Sequence, residues 1–426
     1  MRILFCCESY WPSRGGVQEV IRQIAERMAT AGHEIAVAVR RQADRTSQVL
    51  NGVRIHEFDV SGNLVTGIRG EVEQYRNFIK SFDGDAILIK AAQQWTFDAL
   101  WPVLDDIKVR KVFVPCGFSG LFEPAYTGYF QQMPAILRKF DHLIFYAEQY
   151  RDIDFARAHG IDTFSIIPNG ASEIDFDRVT AGRLRAKFGI PDTDFLFLTV
   201  GSPIAAKGHK EVEDAFLRMD LGGRAATLIL NGTSPSRRLS DLLRPQTLAR
   251  GVAMLRRDGW LGVRARLFPE RVTVAAAAND TKRILRLDLP RSDVLDAFME
   301  ADLFVFASKV EYSPLVLFEA AAAGTPFLTV PAGNAAEIVR WTGGGILCPA
   351  DVDARGYVRV SPDLLAAEME KAVRSPDLLQ RLGAAGHKAW RERFTWQVIA
   401  KSYENVLRGE TVFAPFAPSG RIGRSN

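Results

Sequence analysis

Short, fully apolar runs that alternate with helical patterns constrain this chain more than any other feature. "RILFCC" (2–7) is followed by a helical pattern from about Val17 to Ala31, closed by Gly32, and then by "EIAVAV". "DAILIK", "VRKVFVP" and "DHLIFYA" repeat the type. Strands apolar on both faces and separated by helices predict a parallel sheet covered on both sides. The turn cluster "IIPNGA" (166–171) punctuates the series, and a second series begins at "FLFLTVG" (195–201) and continues through "ATLILNG", "RVTVAAA", "ADLFVFA" and "PFLTVP". The expectation is α/β: two doubly wound domains in tandem, closed by helices over about 362–408, with a Pro/Gly/Arg-rich tail after Phe413.

At 426 residues and 47% hydrophobic content the chain can bury two such cores. The 54 Lys+Arg nearly balance the 50 Asp+Glu, leaving a net charge of +4 without the concentrated basic stripe of a nucleic-acid binder. Cys6, Cys7, Cys116 and Cys348 form neither C-x-x-C nor a zinc spacing, and read as buried thiols in a reducing compartment. No signal-peptide pattern precedes "RILFCC" and no apolar run reaches the ~18 residues of a membrane span, so the expected location is cytoplasmic. Residues 233–271 break the alternation, with nine arginines against three acids. They read as a solvated helical insertion, attraction of an anionic substrate or a membrane surface being the alternative.

Ligands of open parallel sheets bind beyond the carboxyl ends of the strands, which selects the loops that follow each apolar run. The first is "ESYWPSRGGVQEV", with Gly15-Gly16 at the start of a helix, where backbone amides meet anions. G-x-G-x-x-G is absent, so this is not a dinucleotide fingerprint. In the second series Lys207 follows "FLFLTVG" and offers a point charge to a phosphate. Glu311 follows "LFVFA" and leads into "EYSPLVLFEAAAAGTPFL". Ser313 as N-cap, Pro314 in the first turn and Gly324 with Pro326 as a stop predict a helix over Pro314–Ala323 that has no polar face and is buried all round. The carboxylate within it, Glu319, needs a partner. Two are open: a ribose 2′,3′-diol, or a buried Arg or Lys. A glycine loop on one domain, with Lys207, Glu311 and a helix N-terminus on the other, suits a diphosphate with a diol attached.

In order and spacing, "GGVQEVIRQIAERMATAGHEIAV", "IIPNG", "VGSPIAAKGH", Glu311-x7-Glu319 with "EAAAAGTP", and "GNAAEIV" resemble the retaining glycosyltransferases of family 4, from Met1 to about Arg408. The resemblance implies the GT-B architecture, two Rossmann-like domains facing across a cleft. It implies an acceptor-side domain over 1–169 with a C-terminal helix 394–412 packed back on it, a nucleotide-sugar domain over 170–393, and a flexible tail 413–426. Carried over to single residues, it implies that Lys207 holds the donor diphosphate beside Gly201 and Ser202, and that Gly15 and Gly16 approach from the opposite domain. Glu319 would bind the ribose, Glu311 would contact the transferred sugar, and the Leu315 and Val316 amides would cradle phosphate or sugar. Glu311 and Lys207 would carry the catalysis, with no metal or other cofactor. Gln93, Gln94, Trp95 and Ser119 are candidates for the acceptor side. The implied partners are a nucleotide-sugar donor, UDP-linked among the options, and a carbohydrate or lipid-linked glycan acceptor, with a lean toward the inner face of a membrane and no nucleic acid.

Three departures from the family pattern stand out. Ser202 occupies the place of an arginine, and Arg237 or Arg238 is the candidate to restore that charge. "CGFSG" (116–120) replaces a segment that commonly carries a histidine, and Tyr312-Ser313-Pro314 replaces a glycine-containing loop. They keep open a nucleotide-sugar-binding protein of a polysaccharide assembly system with weak or no transfer, and also a same-fold phosphorylase or sugar-nucleotide epimerase.

Overall fold

The computed structural model describes residues 1–13, 15–177, 183–232, 272–275 and 281–410. The arginine-rich stretch 233–271, including Arg237 and Arg238, and residues 411–426 lie outside the described residues.

The first sheet runs in the order Phe164–Ile166, His142–Phe145, Arg110–Val114, Ala86–Lys90, Arg2–Cys6, Glu34–Arg40, Val53–Phe58, Val49–Leu50, parallel except for the last strand. The second runs Val272–Ala275, Lys282–Leu287, Ala226–Asn231, Phe195–Val200, Leu303–Phe306, Phe327–Thr329, Gly345–Leu347. The apolar runs are buried on both faces because alternate residues enter different cores. Leu4 and Cys6 face one core while Ile3 and Phe5 face the other. Leu196 and Leu198 are likewise separated from Phe195 and Phe197.

Among the strands that escape the apolar-run criterion are "VRIHEF" (53–58) and "KRILRL" (282–287), because each lies one place from a sheet edge and keeps polar side chains partly open. Val272–Ala275 does not continue the parallel series but pairs antiparallel with Lys282–Leu287 at the sheet edge.

Each sheet reverses its winding direction once, and the candidate loops lie at those reversals. Arg2–Cys6 sits between Ala86–Lys90 and Glu34–Arg40, so the glycine loop and the loop after Lys90 flank one switch point. Phe195–Val200 sits between Ala226–Asn231 and Leu303–Phe306, which places the Lys207 and Glu311 loops at the other.

The chain crosses between the sheets at 167–171. A Cβ on Gly170 would lie 2.3 Å from the Phe394 carbonyl oxygen, so only glycine allows this approach. Ala171 N–H donates to that oxygen at 3.0 Å, and Trp390 Nε1 donates to Ala171 O at 3.1 Å. The last helix, Trp396–Arg408, starts at Thr395, whose side chain accepts from Val398 N–H. It returns to the first domain, burying Trp396, Ile399, Tyr403 and Val406 in the core that holds Ile21 and Ile24 of the helix Gly16–Thr30. No helix of the described residues is long and apolar enough to cross a membrane.

Glu404 ties this helix down, with Lys401 at 2.9 Å, Arg408 at 2.8 Å and His33 at 3.3 Å. Burial alone would raise its carboxyl, but the bonds from Lys401 and Arg408 and the nearby His33 outweigh that and hold it at about 2. A pKa depressed on folding gives stability that is present above the unfolded value and lost as the pH falls through the folded one. Glu404→Gln should therefore lower the melting temperature at pH 7, and its deficit should shrink between about pH 4.3 and pH 2. Melting curves of both proteins across that range check this.

Candidate functional site at the interdomain cleft

Lys207 and Glu311 meet although 104 residues separate them, with Lys207 Nζ 2.5 Å from Glu311 Oε1. Backbone geometry enforces the meeting. Gly208 has φ 72°, and a Cβ there would lie 1.8 Å from Ala307 O, so the two loops can touch only with glycine at this position. Lys309 N–H and Ser308 Oγ both donate to Ala206 O, at 2.7 and 3.0 Å, and Ser308 Oγ also reaches Glu311 Oε1 at 2.8 Å. Gly201 closes the strand end by donating its N–H to Asn231 O at 3.0 Å, and Ser202 after it is exposed.

The helix after Glu311 differs from the expectation at its start and on its surface. It spans Leu315–Ala323, with Pro314 rather than Ser313 in the N-cap place and no side-chain cap. The Ser313 hydroxyl is buried without a hydrogen-bond partner among the described residues. Pro314 at φ −70°, ψ 116° is extended, so helical backbone begins one residue later. The Leu315 and Val316 N–H groups thus fall in the first turn, where no carbonyl one turn back receives them. The helix is not buried all round. Leu317, Phe318 and Ala320–Ala322 are buried, but Leu315, Val316, Glu319 and Ala323 are only half-buried. At about 100° per residue these four span one narrow stripe.

The first residue of that stripe meets the first domain: Leu315 packs against that domain's core, whereas Val316 and Ala323 pack against the second domain's. A Cβ on Gly16 would come within 3.9 Å of Leu315 Cδ1. Gly16 opens the helix Gly16–Thr30, so two helix N-termini meet across the cleft. Gly15 is extended rather than left-handed, and a Cβ on it would meet only the Gln18 amide.

Glu319 has a protein partner, an arginine, as the second of the two open readings expects. Arg291 Nη2 lies 2.6 Å from Glu319 Oε1 and 3.0 Å from Asp175 Oδ2. Burial works against the guanidinium charge, but the two carboxylates more than offset it and hold Arg291 above its ordinary range. The Arg291 charge also reaches the facing helix. Burial would raise the carboxyl of Glu19, on the first turn of the facing helix, but Arg22 and Gln23 outweigh it with help from the Arg291 charge, and the net shift is downward. Arg291 opens the helix Arg291–Glu300 and carries no local motif.

Among the residues expected at an acceptor, the structure brings Gln93 and Ser119 together and withdraws Trp95. Gln93 Oε1 accepts from Ser119 Oγ and from Gly120 N–H, both at 3.1 Å, and so joins two loops of the first domain. The Gln94 amide oxygen is buried without a partner among the described residues. Trp95 is wholly buried, edge-on to Tyr75 at 4.9 Å, and offers no platform to a sugar. Two features escaped the sequence reading. Lys90 is 1% exposed and donates to the Tyr146 hydroxyl at 2.5 Å. Tyr312 crosses into the first domain and stacks on Tyr146 with ring centroids 5.2 Å apart.

Residues 276–389 match the model of the glycosyl transferases group 1. A D-inositol 3-phosphate glycosyltransferase of Streptomyces bingchenggensis is 32% identical over 148 residues, 33% of this chain and 30% of the relative. Its namesake of Streptomyces griseus is 25% identical over 252 residues, 58% of this chain and 46% of the relative. The chain thus spans less than half the length of these relatives. In structure, a sucrose-phosphate synthase of Thermosynechococcus elongatus superposes with a TM-score of 0.68 at 17% identity, covering 96% of this chain and 98% of its own. HepE of Anabaena, solved in complex with UDP, gives 0.67 at 16% identity, covering 96% and 100%.

Replacing Arg291, whose side chain is 45% exposed, with Met should cost about 0.5–1 kcal/mol in urea unfolding, and adding Glu319→Gln should recover part of that loss. The chain has the GT-B architecture, and residues 276–389 of its second domain match the model of the glycosyl transferases group 1.

Proposed function

We propose that the protein is a retaining, metal-independent glycosyltransferase of family 4 that moves a sugar from a nucleotide-diphosphate donor to a carbohydrate or lipid-linked glycan acceptor. The observation that supports this most is the convergence of Lys207, Glu311 and the Leu315 helix N-terminus at one switch point, opposite Gly16 of the other domain. Lysine and first-turn amides suit a diphosphate leaving group, where they take up the charge that develops as the sugar–phosphate bond breaks. The bond from the anomeric carbon to the phosphate oxygen breaks and a bond to the acceptor oxygen forms on the same face. The acceptor proton passes to the departing diphosphate, since Cys116, Gly117 and Ser119 provide no imidazole to receive it. Glu311, which shares Lys207 with the diphosphate, contacts the transferred sugar. Glu319, already paired to Arg291, keeps its place for a ribose hydroxyl, with Arg291 as an added support. Arg237 and Arg238 supply the charge that Ser202 lacks, and the reaction takes place in the cytoplasm or at the inner face of a membrane.

UDP is the first nucleotide to try, because HepE was solved with UDP and with UDP-glucose. In a thermal-shift panel of UDP, GDP, ADP and dTDP, one nucleotide at 100 times its dissociation constant should add ~2.7 kcal/mol of stability, and Lys207→Ala should weaken its binding at least about tenfold. Indifference to all four would sink the reading. Proton NMR of the product anomer tests retention, turnover after dialysis against EDTA tests metal independence, and the Arg237→Ala/Arg238→Ala double variant tests the distal charge. A second reading, a nucleotide-sugar binder without transfer, is favoured by Ser202 and by the engagement of Lys207 with Glu311. Binding with neither transfer nor slow donor hydrolysis would select it.

A further inference from the structure

Tyr312 occupies a position that neither the family match nor the proposed chemistry explains. It follows Glu311 directly, yet its ring lies in the first domain, between Tyr146 at 5.2 Å and Tyr150 at 4.7 Å. Its hydroxyl accepts from Tyr146 N–H at 3.0 Å and lies near the buried Asp152 carboxyl. Tyr150 in turn donates its hydroxyl to the Glu311 carbonyl at 2.6 Å. The first domain thus grips both residues of the Glu311-Tyr312 pair.

Gly117 makes room for this ring. It stands at φ 88° between Cys116 and Phe118, both also left-handed, and Asp152 Oδ2 holds its N–H at 2.7 Å. A Cβ at 117 would lie 3.1 Å from Tyr312 Cγ and 2.9 Å from Tyr150 Cε1. Any side chain there would compete with the tyrosine ring for space. The two departures from the family pattern, in "CGFSG" and in Tyr312-Ser313-Pro314, are therefore two halves of one contact.

We propose that Tyr312 is a positioning residue: it transmits the first domain's grip to Glu311, and Gly117 is the gap that admits it. The role of Glu311 rests on the transferase reading, whereas the contact itself does not. Other interdomain bonds hold the same loop, with Glu337 accepting from the N–H groups of Glu148 and Gln149 at 2.8 Å each. Loss of Tyr312 should therefore leave the domains associated and disturb only the placement of Glu311.

Two measurements test this separately. In melting temperature, Gly117→Ala and Tyr312→Gly should be non-additive by at least about 2 °C, because the part of the cost that the ring at 3.1 Å imposes on the new methyl vanishes with the ring, while the positive-φ strain and the Tyr150 contact remain. Additive shifts would refute the contact whether or not the protein transfers sugar. In turnover, Tyr312→Gly should lower kcat at least about tenfold with the donor KM within about threefold, and Tyr312→Phe, which keeps the ring, should fall between it and wild type. A kcat within about twofold of wild type for Tyr312→Gly, or an equal loss in both variants, overturns the positioning role. Should no donor be turned over at all, the function proposed above fails, while the melting cycle still decides the contact.

Discussion

The site depends on one close backbone approach. The loops after Phe195–Val200 and Leu303–Phe306 touch at Gly208 and Ala307 with no space for a Cβ, and from that contact follow the Ala206 hydrogen bonds and the encounter of Lys207 with Glu311. A lysine ammonium and a carboxylate on separate flexible loops would otherwise be an exposed pair of little worth. Held by rigid strand ends at a topological switch point, they are instead placed before any ligand arrives, and the helix at Leu315 begins where the second loop ends.

The electrostatics around that approach are arranged in pairs. Lys207 is matched by Glu311, and Arg291 by Glu319 and Asp175, so the second domain's wall of the cleft carries charge without leaving any of these groups uncompensated. Such pairing reconciles partly buried carboxylates with stability, since an unpaired one would resist ionisation or destabilise the fold. Under the proposed function it also means that the donor diphosphate would have to compete with Glu311 for the lysine.

The first domain does more than face the site. Its loop at 146–152 takes hold of Tyr312 and of the Glu311 backbone, and its final wall is supplied by the C-terminal helix returning through Thr395. Asn169 at the crossing donates to Ser313 O at 3.0 Å, which links the connection between the sheets to the same loop.

Sequence alone determined the alternation of elements, because strands buried on both faces must be apolar throughout and leave a readable run. It also determined where to look for the site, because the rule of strand carboxyl ends needs only the order of elements, and Lys207, Glu311 and Gly16 emerged from it. Strands near an edge, such as "KRILRL", were obscured by the polar residues that partial exposure permits. Pairings were decided by the tertiary structure. Arg291 looks like any surface arginine until Asp175, 116 residues away, and Glu319 converge on it; Trp95 and Trp11 share a residue type, yet one is wholly buried and the other 40% exposed. Which atom satisfies a carboxylate, or fills the space beside a glycine, depends on distances between segments far apart in the chain, and local pattern carries no information about those distances.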